Sequence, residues 1–252
     1  MPINKIIDSF DEAVADIPDG ATIMCGYFGQ PGSSPCWLIR ALARRGTKNL
    51  TLICNMTGWG RTLIPKFREN MKPFINYPSW WDDPGLLVEN GQIKKAICSW
   101  ASGMSPAHVN DFEKRFARGE VELEIVPQGN LAERIRAGKA GIPAFYTPTG
   151  VGTVVEENKE VRVFDGKKYL LERALRAGFA LIRANKADRW GNLVYRYVSR
   201  TFNATMAGAA DVTIAEVDEI VELGELDPNA IVTPSLYVDR VVVRPKEEVA
   251  KW

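Results

Sequence analysis

Histidine and cysteine are scarce in this 252-residue chain. There is one histidine, His108, and the four cysteines have no C-x-x-C spacing. A zinc site is therefore not expected, because such sites are assembled from closely spaced cysteines and histidines. Three of the cysteines lie in or beside apolar runs, which favours buried free thiols in a reducing compartment such as the cytoplasm. We expect His108 to be a surface residue rather than a catalytic base.

Net charge and long apolar runs are also missing. The formal net charge is +1, so the overall electrostatics do not predict binding to nucleic acid or to a membrane surface. No run of 18 apolar residues occurs, and acids at Asp8, Asp11 and Glu12 occupy the N-terminal segment. Neither a membrane span nor a signal peptide is therefore expected. The composition, 46% hydrophobic and 25% charged, is that of an ordinary globular chain.

Strand and helix patterns alternate along the first half of the chain. Short apolar runs at Thr22–Cys25, Asn49–Cys54 and Lys94–Cys98 predict buried strands. Between the first two, Cys36–Arg45 predicts a helix that ends before a glycine. This alternation predicts an α/β fold, with an open mixed or parallel sheet and helices on both faces.

Local patterns predict several further elements. Apolar residues recur at helical spacing over Ile6–Ile17, which indicates an amphipathic first helix. The pair Ser105–Pro106 is typical of a helix N-terminus. The segment Val161–Leu170 predicts a hairpin around an Asp-Gly turn, and the small residues of Phe202–Ala210 predict a helix.

Two glycine-rich stretches interrupt these elements. In Pro127–Thr153, a short helix at Leu131–Arg136 is expected to end at Gly138, and a loop follows. Composition alone favours a packed crossover and a functional loop equally. In Gly26–Pro35 the glycines are spaced G-x-x-G-x-x-G, which differs from a dinucleotide fingerprint and by itself predicts a tight turn.

Six motifs carry a resemblance to a known family. They are Pro127–Thr153, Phe164–Lys167, Ala184–Val194, Arg200–Asn203, Glu216–Val221 and Tyr237–Arg240. In this order they closely resemble the alpha (A) subunit of family I CoA-transferases, of the 3-oxoacid CoA-transferase type. The resemblance covers nearly the whole chain and weakens between about Trp59 and Asp111. It implies one alpha-subunit domain over residues 1–252, with an insertion within about residues 59–84.

The resemblance implies a reaction and a partner. In the family, a glutamate attacks an acyl-CoA thioester, and CoA then passes through a glutamyl-CoA thioester to an acceptor carboxylate. CoA thioesters are thus the implied substrates, with no tightly bound cofactor and no metal. The family's glutamate lies in a Ser-Glu-Asn-Gly motif of the beta (B) subunit, which this chain lacks. Glu89-Asn90-Gly91 is similar, but we interpret it as a helix-ending turn. The implied partner is a beta subunit with that motif, in a heterotetramer by family habit.

The resemblance also implies site residues. Gln128 matches the family's active-site glutamine, and Asn55 matches a strand-end asparagine. Uncharged amides suit an oxygen on which negative charge develops, although hydrogen bonds that merely cap a loop are the alternative for both. The loops Gly26–Pro35 and Gly138–Gly152 are expected to form the walls of the substrate site by close backbone approach, and further residues are expected to bind substrate. They are Gly26, Phe28, Gly29, Gly32, Ser99, Gly141 and Gly150.

Several departures from the family pattern concern the acyl group. Tyr27 stands where many members have glycine, Met56 replaces an asparagine, and Ser99–Met104 lacks an acid that others have. These changes predict a larger or more hydrophobic acyl group. The aromatic segment Trp59–Pro84 is either a lid or enlarged acyl pocket, or an excursion packed on the protein surface.

Two other functions stay open. A partner without the Ser-Glu-Asn-Gly motif would indicate an acyl-CoA hydrolase, acting on the thioester or on a carbon–carbon bond of a ring-opened CoA ester. A stable monomer that binds CoA esters would indicate a regulatory protein. The second is disfavoured because a lone domain would struggle to cover so many aromatic residues.

Overall fold

The computed structural model describes residues 3–29, 31–73, 78–103 and 105–245, and an eight-stranded sheet organises them. Within these ranges the strands are β1 (Thr22–Cys25), β2 (Leu50–Met56), β3 (Ile93–Trp100), β4 (Glu122–Ile125), β5 (Ala144–Thr147), β6 (Val161–Phe164), β7 (Lys167–Arg173), β8 (Ala177–Asp188), β9 (Leu193–Val194), β10 (Ala210–Val221) and β11 (Arg240–Val243). The large sheet has the order β11-β10-β8-β1-β2-β3-β4, and β9 pairs with β8.

The large sheet is open and mostly parallel. Every neighbouring pair along its path is parallel, from β11 at one edge to β4 at the other. Only the short strand β9 runs antiparallel to its neighbour within this described sheet. The predicted α/β class is therefore confirmed, and the carboxyl ends of the parallel strands all meet at one edge.

Helices cover both faces of this sheet. They are α1 (Phe10–Ala13), α2 (Cys36–Arg45), α3 (Gly60–Met71), α4 (Gly85–Glu89), α5 (Asp111–Ala117), α6 (Gln128–Ala140) and α7 (Thr201–Met206). On one face, α2, α4 and α5 pack against Leu52 and Cys54 of β2. On the other, α6 and α7 pack with Ile53, the residue between them. Within the described ranges, no helix combines the length and apolar character needed to cross a bilayer.

A second, three-stranded sheet has the order β5-β7-β6. Strands β6 and β7 form the hairpin predicted from the sequence, and they pair antiparallel from Phe164 and Lys167 onward. Asp165 has φ 49° and Gly166 has φ 75°, so both central residues adopt the positive φ of a type I′ turn. This prediction is confirmed because its determinants are local.

The first and fifth helices begin later than the sequence predicts. Ile6 forms a bridge with β11 rather than a helical turn, and Ser9 caps α1. The predicted start at Ser105 is also wrong. Asn110 caps α5 instead, in a reciprocal capping box with Glu113. The capping box satisfies orphan backbone donors at both ends of the motif, which a serine followed by proline would not do here.

Two other helices end where the sequence did not predict. Helix α6 extends well beyond Leu131–Arg136 and passes through Gly138. A Cβ atom at Gly138 would lie 2.0 Å from the carbonyl oxygen of Leu175, so this glycine permits close packing rather than ending the helix. The helix ends at Gly141, which has φ 72°. Helix α7 is shorter than predicted, because Ala210 already begins β10.

Candidate active site

The strand order creates a crevice at the carboxyl edge of the large sheet. From β1 the chain moves outward to β2, β3 and β4, whereas from β8 it moves the opposite way to β10 and β11. Ligands of open α/β sheets bind outside the carboxyl ends of strands where the order reverses in this way. The loop Gly26–Pro35 leaves β1 at this point, except that Gln30 lies outside the described residues.

An open groove of about 390 Å³ lies at this edge. Its walls come from the loop after β1, the ends of β2 and β3, and the start of α3. The lining residues are Phe28, Gly29, Asn55, Met56, Trp59, Phe67 and Trp100. Trp59 stacks on Phe67 with ring centroids 5.4 Å apart, and Phe28 stacks on Phe202 at 5.7 Å. The groove therefore joins three of the predicted residues, Phe28, Gly29 and Asn55, to a largely apolar surface.

Asn55 and Ser99 lie side by side on neighbouring strands. Strands β2 and β3 align Cys54 with Cys98 and Met56 with Trp100, so Asn55 is opposite Ser99. Asn55 Oδ1 and Ser99 Oγ are buried, and neither has a hydrogen-bond partner among the described residues. Buried polar atoms are rarely left unpaired in native proteins, so this pair is suited to a bound polar group.

Gln128 begins α6 at the same edge. Val126 continues the sheet by donating to the carbonyl of Cys98, and α6 starts two residues later with Gln128 exposed. No side chain caps this 13-residue helix, so its first backbone N–H groups remain open. Helix α6 packs on the sheet face that carries Asn55 and Ser99. Asn55 and Ser99 thus lie on the sheet face against which α6 packs, and Gln128 begins that helix, but Asn55 is the one of these three residues that lines the groove.

Gly26 and Gly32 shape the loop rather than line the groove. A Cβ atom at Gly26 would lie 1.7 Å from Asn203 Oδ1, so only glycine allows α7 to approach this closely. The carbonyl of Gly32 accepts a hydrogen bond from Arg183 Nη1, and the carbonyl of Ser33 accepts one from Asn203 Nδ2 at 2.9 Å. Arg183 and Asn203 therefore hold the loop from behind.

Gly141 and Gly150 are not brought to the groove. Gly141 ends α6, and at a rise of about 1.5 Å per residue it lies roughly 20 Å from Gln128 at the other end. Gly150 has φ 97°, and a Cβ atom there would meet Val155 and Leu170 beside the second sheet. Both glycines occupy backbone turns that explain their presence without substrate contact.

The aromatic segment divides between the groove and the packed interior. Trp59 and Phe67 line the groove, whereas Trp81 is buried in the core and Trp80 packs edge-on against Trp37 at 5.1 Å. Part of the segment therefore supplies apolar groove surface and part packs on the domain itself. Phe74 and Tyr77, like Met104 of the divergent motif, lie outside the described residues.

Two buried acids, Asp82 and Asp83, were missed by the sequence reasoning. Asp82 pairs with Arg40 and Arg61, whereas Asp83 is fully buried and accepts four hydrogen bonds from uncharged groups. The donors are Tyr27 Oη at 2.9 Å, Trp59 N at 2.7 Å, Gly60 N at 3.0 Å and Gly85 N at 3.0 Å. Burial raises the pKa of Asp83 to about 6, and these four hydrogen bonds offset only part of that effect. In the sequence, the feature that could have indicated these buried acids is their position directly after Trp80-Trp81.

A second buried charge cluster supports the start of α2. Glu216 Oε2 accepts from the backbone amides of Trp37 and Leu38, at 2.8 and 3.2 Å, in the first turn of that helix. Burial raises the pKa of Glu216, and the nearby positive charges of Arg244 and Arg183 oppose that rise. Glu216 belongs to a motif that the sequence singled out, and here it is a structural acid.

The four cysteines and Glu89, as candidate nucleophiles, have structural contacts. All four cysteines are buried and free, and burial raises the thiol pKa of Cys36 and Cys98 to about 12. Glu89 accepts hydrogen bonds from the backbone and the hydroxyl of Thr62, near the start of α3. Asn90 ends α4 and Gly91 has φ 67°, as expected for a helix-ending turn.

Known proteins resemble this chain in sequence and fold. A family model described as coenzyme A transferase matches residues 7–244. The A subunit of the 3-oxoadipate CoA-transferase of Pseudomonas putida is 45% identical over 95% of this chain and 94% of its own length. The A subunit of a probable succinyl-CoA:3-ketoacid coenzyme A transferase of Bacillus subtilis is 43% identical over 98% of this chain and 92% of its own length. The crystal structure of an acyl-CoA transferase from Escherichia coli O157:H7 superposes with a TM-score of 0.78 at 23% identity, over 97% of this chain. This chain spans about half of that one, 48%.

Proposed function

Because this chain belongs to the coenzyme A transferase family, we propose that it is the alpha subunit of a heteromeric enzyme. The enzyme moves CoA from an acyl-CoA donor to a carboxylic acid. The partner is a beta subunit that carries a Ser-Glu-Asn-Gly glutamate. Similar proteins of this length are named as one subunit of a transferase, which supports a separate partner chain, and the buried free thiols fit a cytoplasmic complex.

The observation that carries this proposal is the chemistry of the groove. Its described lining contains amide, thioether and aromatic side chains, and none of these is ionisable. An acyl-transfer site needs a nucleophile, and the lack of an ionisable group in this lining supports a nucleophile supplied by the partner subunit. The groove is open to one side, where Trp100 is 54% exposed. A partner subunit that covers this side would bring its glutamate to the apolar surface and exclude water.

The proposed reaction proceeds by two carbonyl additions. The partner's glutamate carboxylate attacks the thioester carbonyl, the carbon–sulfur bond breaks, and CoA leaves as the thiolate. The thiolate then attacks the glutamyl carbonyl of the anhydride, which forms glutamyl-CoA and releases the donor's acyl group as a carboxylate. The acceptor carboxylate then attacks glutamyl-CoA, and the same steps in reverse transfer CoA to the acceptor and regenerate the glutamate. Each addition places negative charge on an oxygen, and the amides of Asn55 and Gln128 are our proposed donors to it.

The acyl group is proposed to be bulky or hydrophobic. Phe28, Met56, Trp59 and Phe67 are among the residues that line the groove, and apolar surface binds apolar acyl chains best. A panel of acyl-CoA donors and carboxylate acceptors, assayed with the complex, tests this point. If succinyl-CoA with 3-oxoadipate or a 3-ketoacid outperforms every bulky pair, the acyl assignment is wrong.

The mechanism is tested by trapping. The complex of this chain with its beta subunit is incubated with acyl-CoA and borohydride, and both subunits are weighed by mass spectrometry. We expect a reduced glutamyl adduct on the partner and none on this chain. An adduct on this chain would overturn the half-site assignment. Release of free CoA without an acceptor, and with no adduct, would indicate the hydrolase instead.

Two substitutions test the amides. Asn55→Ala and Gln128→Ala should each lower kcat by about 100-fold or more, because each removes a donor to the developing oxyanion. Asn229→Ala is the matched control, since the Asn229 side chain donates to Asp227 in an exposed turn. Unchanged kcat in both site variants would remove these residues from the proposed site.

A further inference from the structure

One carboxylate joins the two walls of the apolar groove. The first wall is the loop that carries Phe28, and the second is the start of α3, which carries Trp59. Asp83 Oδ2 accepts a hydrogen bond from the hydroxyl of Tyr27, the residue before Phe28, at 2.9 Å. The same oxygen accepts from the backbone amide of Trp59 at 2.7 Å. The separation of the walls is therefore fixed through one atom.

Tyr27 also supports the base of the groove. Its side chain is fully buried, and it packs in one cluster with Met56, Ile64 and Trp81. Met56 belongs to the groove lining, so the Tyr27 ring packs behind the groove, while its hydroxyl reaches Asp83. A glycine at this position would supply neither the ring nor the hydroxyl, so both contacts depend on the tyrosine side chain.

Burial of the Asp83 carboxylate costs free energy of folding, and a role for this residue would explain why the cost is tolerated. A fully buried carboxylate that accepts only from uncharged donors has a large desolvation penalty, and no arginine or lysine is among the hydrogen-bonding groups described around it. Its neighbour Asp82, by contrast, is paired with Arg40 and Arg61. Polar groups buried at this cost are often kept because they fix one arrangement of the surrounding elements.

We propose that Tyr27 and Asp83 are positioning residues that set the width of the groove and so select the acyl group. The proposal rests on the proposed function in that the groove is taken to hold the acyl chain. It adds a determinant of specificity that does not itself touch the substrate. Loss of the Tyr27–Asp83 hydrogen bond would allow the two walls to move apart. The acyl groups that fit the groove best would then lose the most binding affinity.

Tyr27→Phe is the main test because it removes the hydroxyl and keeps the ring. The complex is titrated calorimetrically with unreactive dethia analogues of acyl-CoA, in a series of increasing acyl size, and KM and kcat are measured with the matching thioesters. The ratio of affinities between the best-fitting and the smallest analogue should fall about fivefold, the size expected from one hydrogen bond. Tyr146→Phe, which removes a hydroxyl bonded to Glu160 on the second sheet, should leave that ratio unchanged.

A second variant keeps the test decisive. Asp83→Asn should shift the same ratio at least as far, because it also disturbs the hydrogen bonds from Trp59, Gly60 and Gly85. Tyr27→Phe should shift the ratio less in the Asp83→Asn background than it does alone, because the two residues share one hydrogen bond. A uniform loss over all acyl sizes, or an unchanged ratio in both variants, would overturn the proposal. These outcomes are separate from the proposed function. Absence of CoA transfer with a normal binding ratio would refute the transferase, whereas normal transfer with an unchanged ratio would refute only the selection by Tyr27 and Asp83.

Discussion

Substitution of Gly26 by alanine should strongly destabilise the protein at its candidate site. The added Cβ would lie 1.7 Å from Asn203 Oδ1 and 3.2 Å from the Cα of Asn203, so the whole residue, and not only a flexible tip, has to move. Forced overpacking of a buried site costs about 1–3 kcal/mol. Asn203 also accepts from the Arg183 amide and donates to the carbonyls of Ser33 and Ser199. Each bond lost adds about 1 kcal/mol. We therefore expect a total loss of about 3–5 kcal/mol.

Urea unfolding of wild type and variant in the same assembly state measures this loss, provided that the slope of the transition is unchanged. Gly178→Ala is a matched control in the neighbouring strand β8, because the nearest atom to its added Cβ is 3.7 Å away. That variant should lie within about 1 kcal/mol of wild type. A Gly26→Ala protein as stable as the control would show that α7 does not approach the loop as described. The argument that Asn203 holds this loop would then fail.

Three further predictions concern buried groups. Asp83 has a folded-state pKa of about 6 against an ordinary value of 3.8, so its contribution favours folding most below pH 4 and is lost as the pH rises through 6. That contribution amounts to about 3 kcal/mol, and unfolding curves between pH 4 and 7 should show a slope that Asp83→Asn lacks. Glu216→Ala should lower the unfolding free energy by about 2–3 kcal/mol, because it removes one acid paired with Arg244 and the acceptor of the Trp37 and Leu38 amides, while Asp218 still pairs with Arg244. Urea denaturation measures this loss, and a variant as stable as wild type would contradict it. The four cysteines should react with a thiol reagent only after denaturation, since all are buried; fast labelling of native protein would contradict the described core.

Elements fixed by local chemistry were predictable from the sequence. The Asp165-Gly166 hairpin, strand β1 and helix α2 follow from turn chemistry, apolar runs and a stop signal, and the structure has all three. Glycines with tertiary roles were harder to interpret. Gly138 was expected to end a helix, yet it lies inside one because the Leu175 carbonyl packs against it. Nothing in the neighbouring sequence distinguishes a glycine needed for close approach from one needed for its backbone angle.

The candidate site was predicted in part for a related reason. Family motifs indicated Asn55 and Ser99 separately, but only the register of β2 and β3 places them side by side with unpaired polar atoms. Asp83 escaped notice because an acid in an aromatic segment gives no sign of whether it is paired, exposed or buried. Its partners come from three separated parts of the chain, Tyr27, Trp59–Gly60 and Gly85.

The contacts of three buried acids bear on the proposal that the nucleophile lies on a partner subunit. Asp83 and Glu216 are fully buried and already accept hydrogen bonds from backbone amides, so attack on a thioester would first require that these bonds break. The carboxylate of Asp82 is already paired with Arg40 and Arg61. Groove atoms such as Asn55 Oδ1 show the opposite pattern, since they are buried at the site and have no described partner. These acids are therefore engaged in structural contacts, while the open polar atoms of Asn55 and Ser99 are uncharged, which agrees with the proposal that the nucleophile comes from a partner subunit.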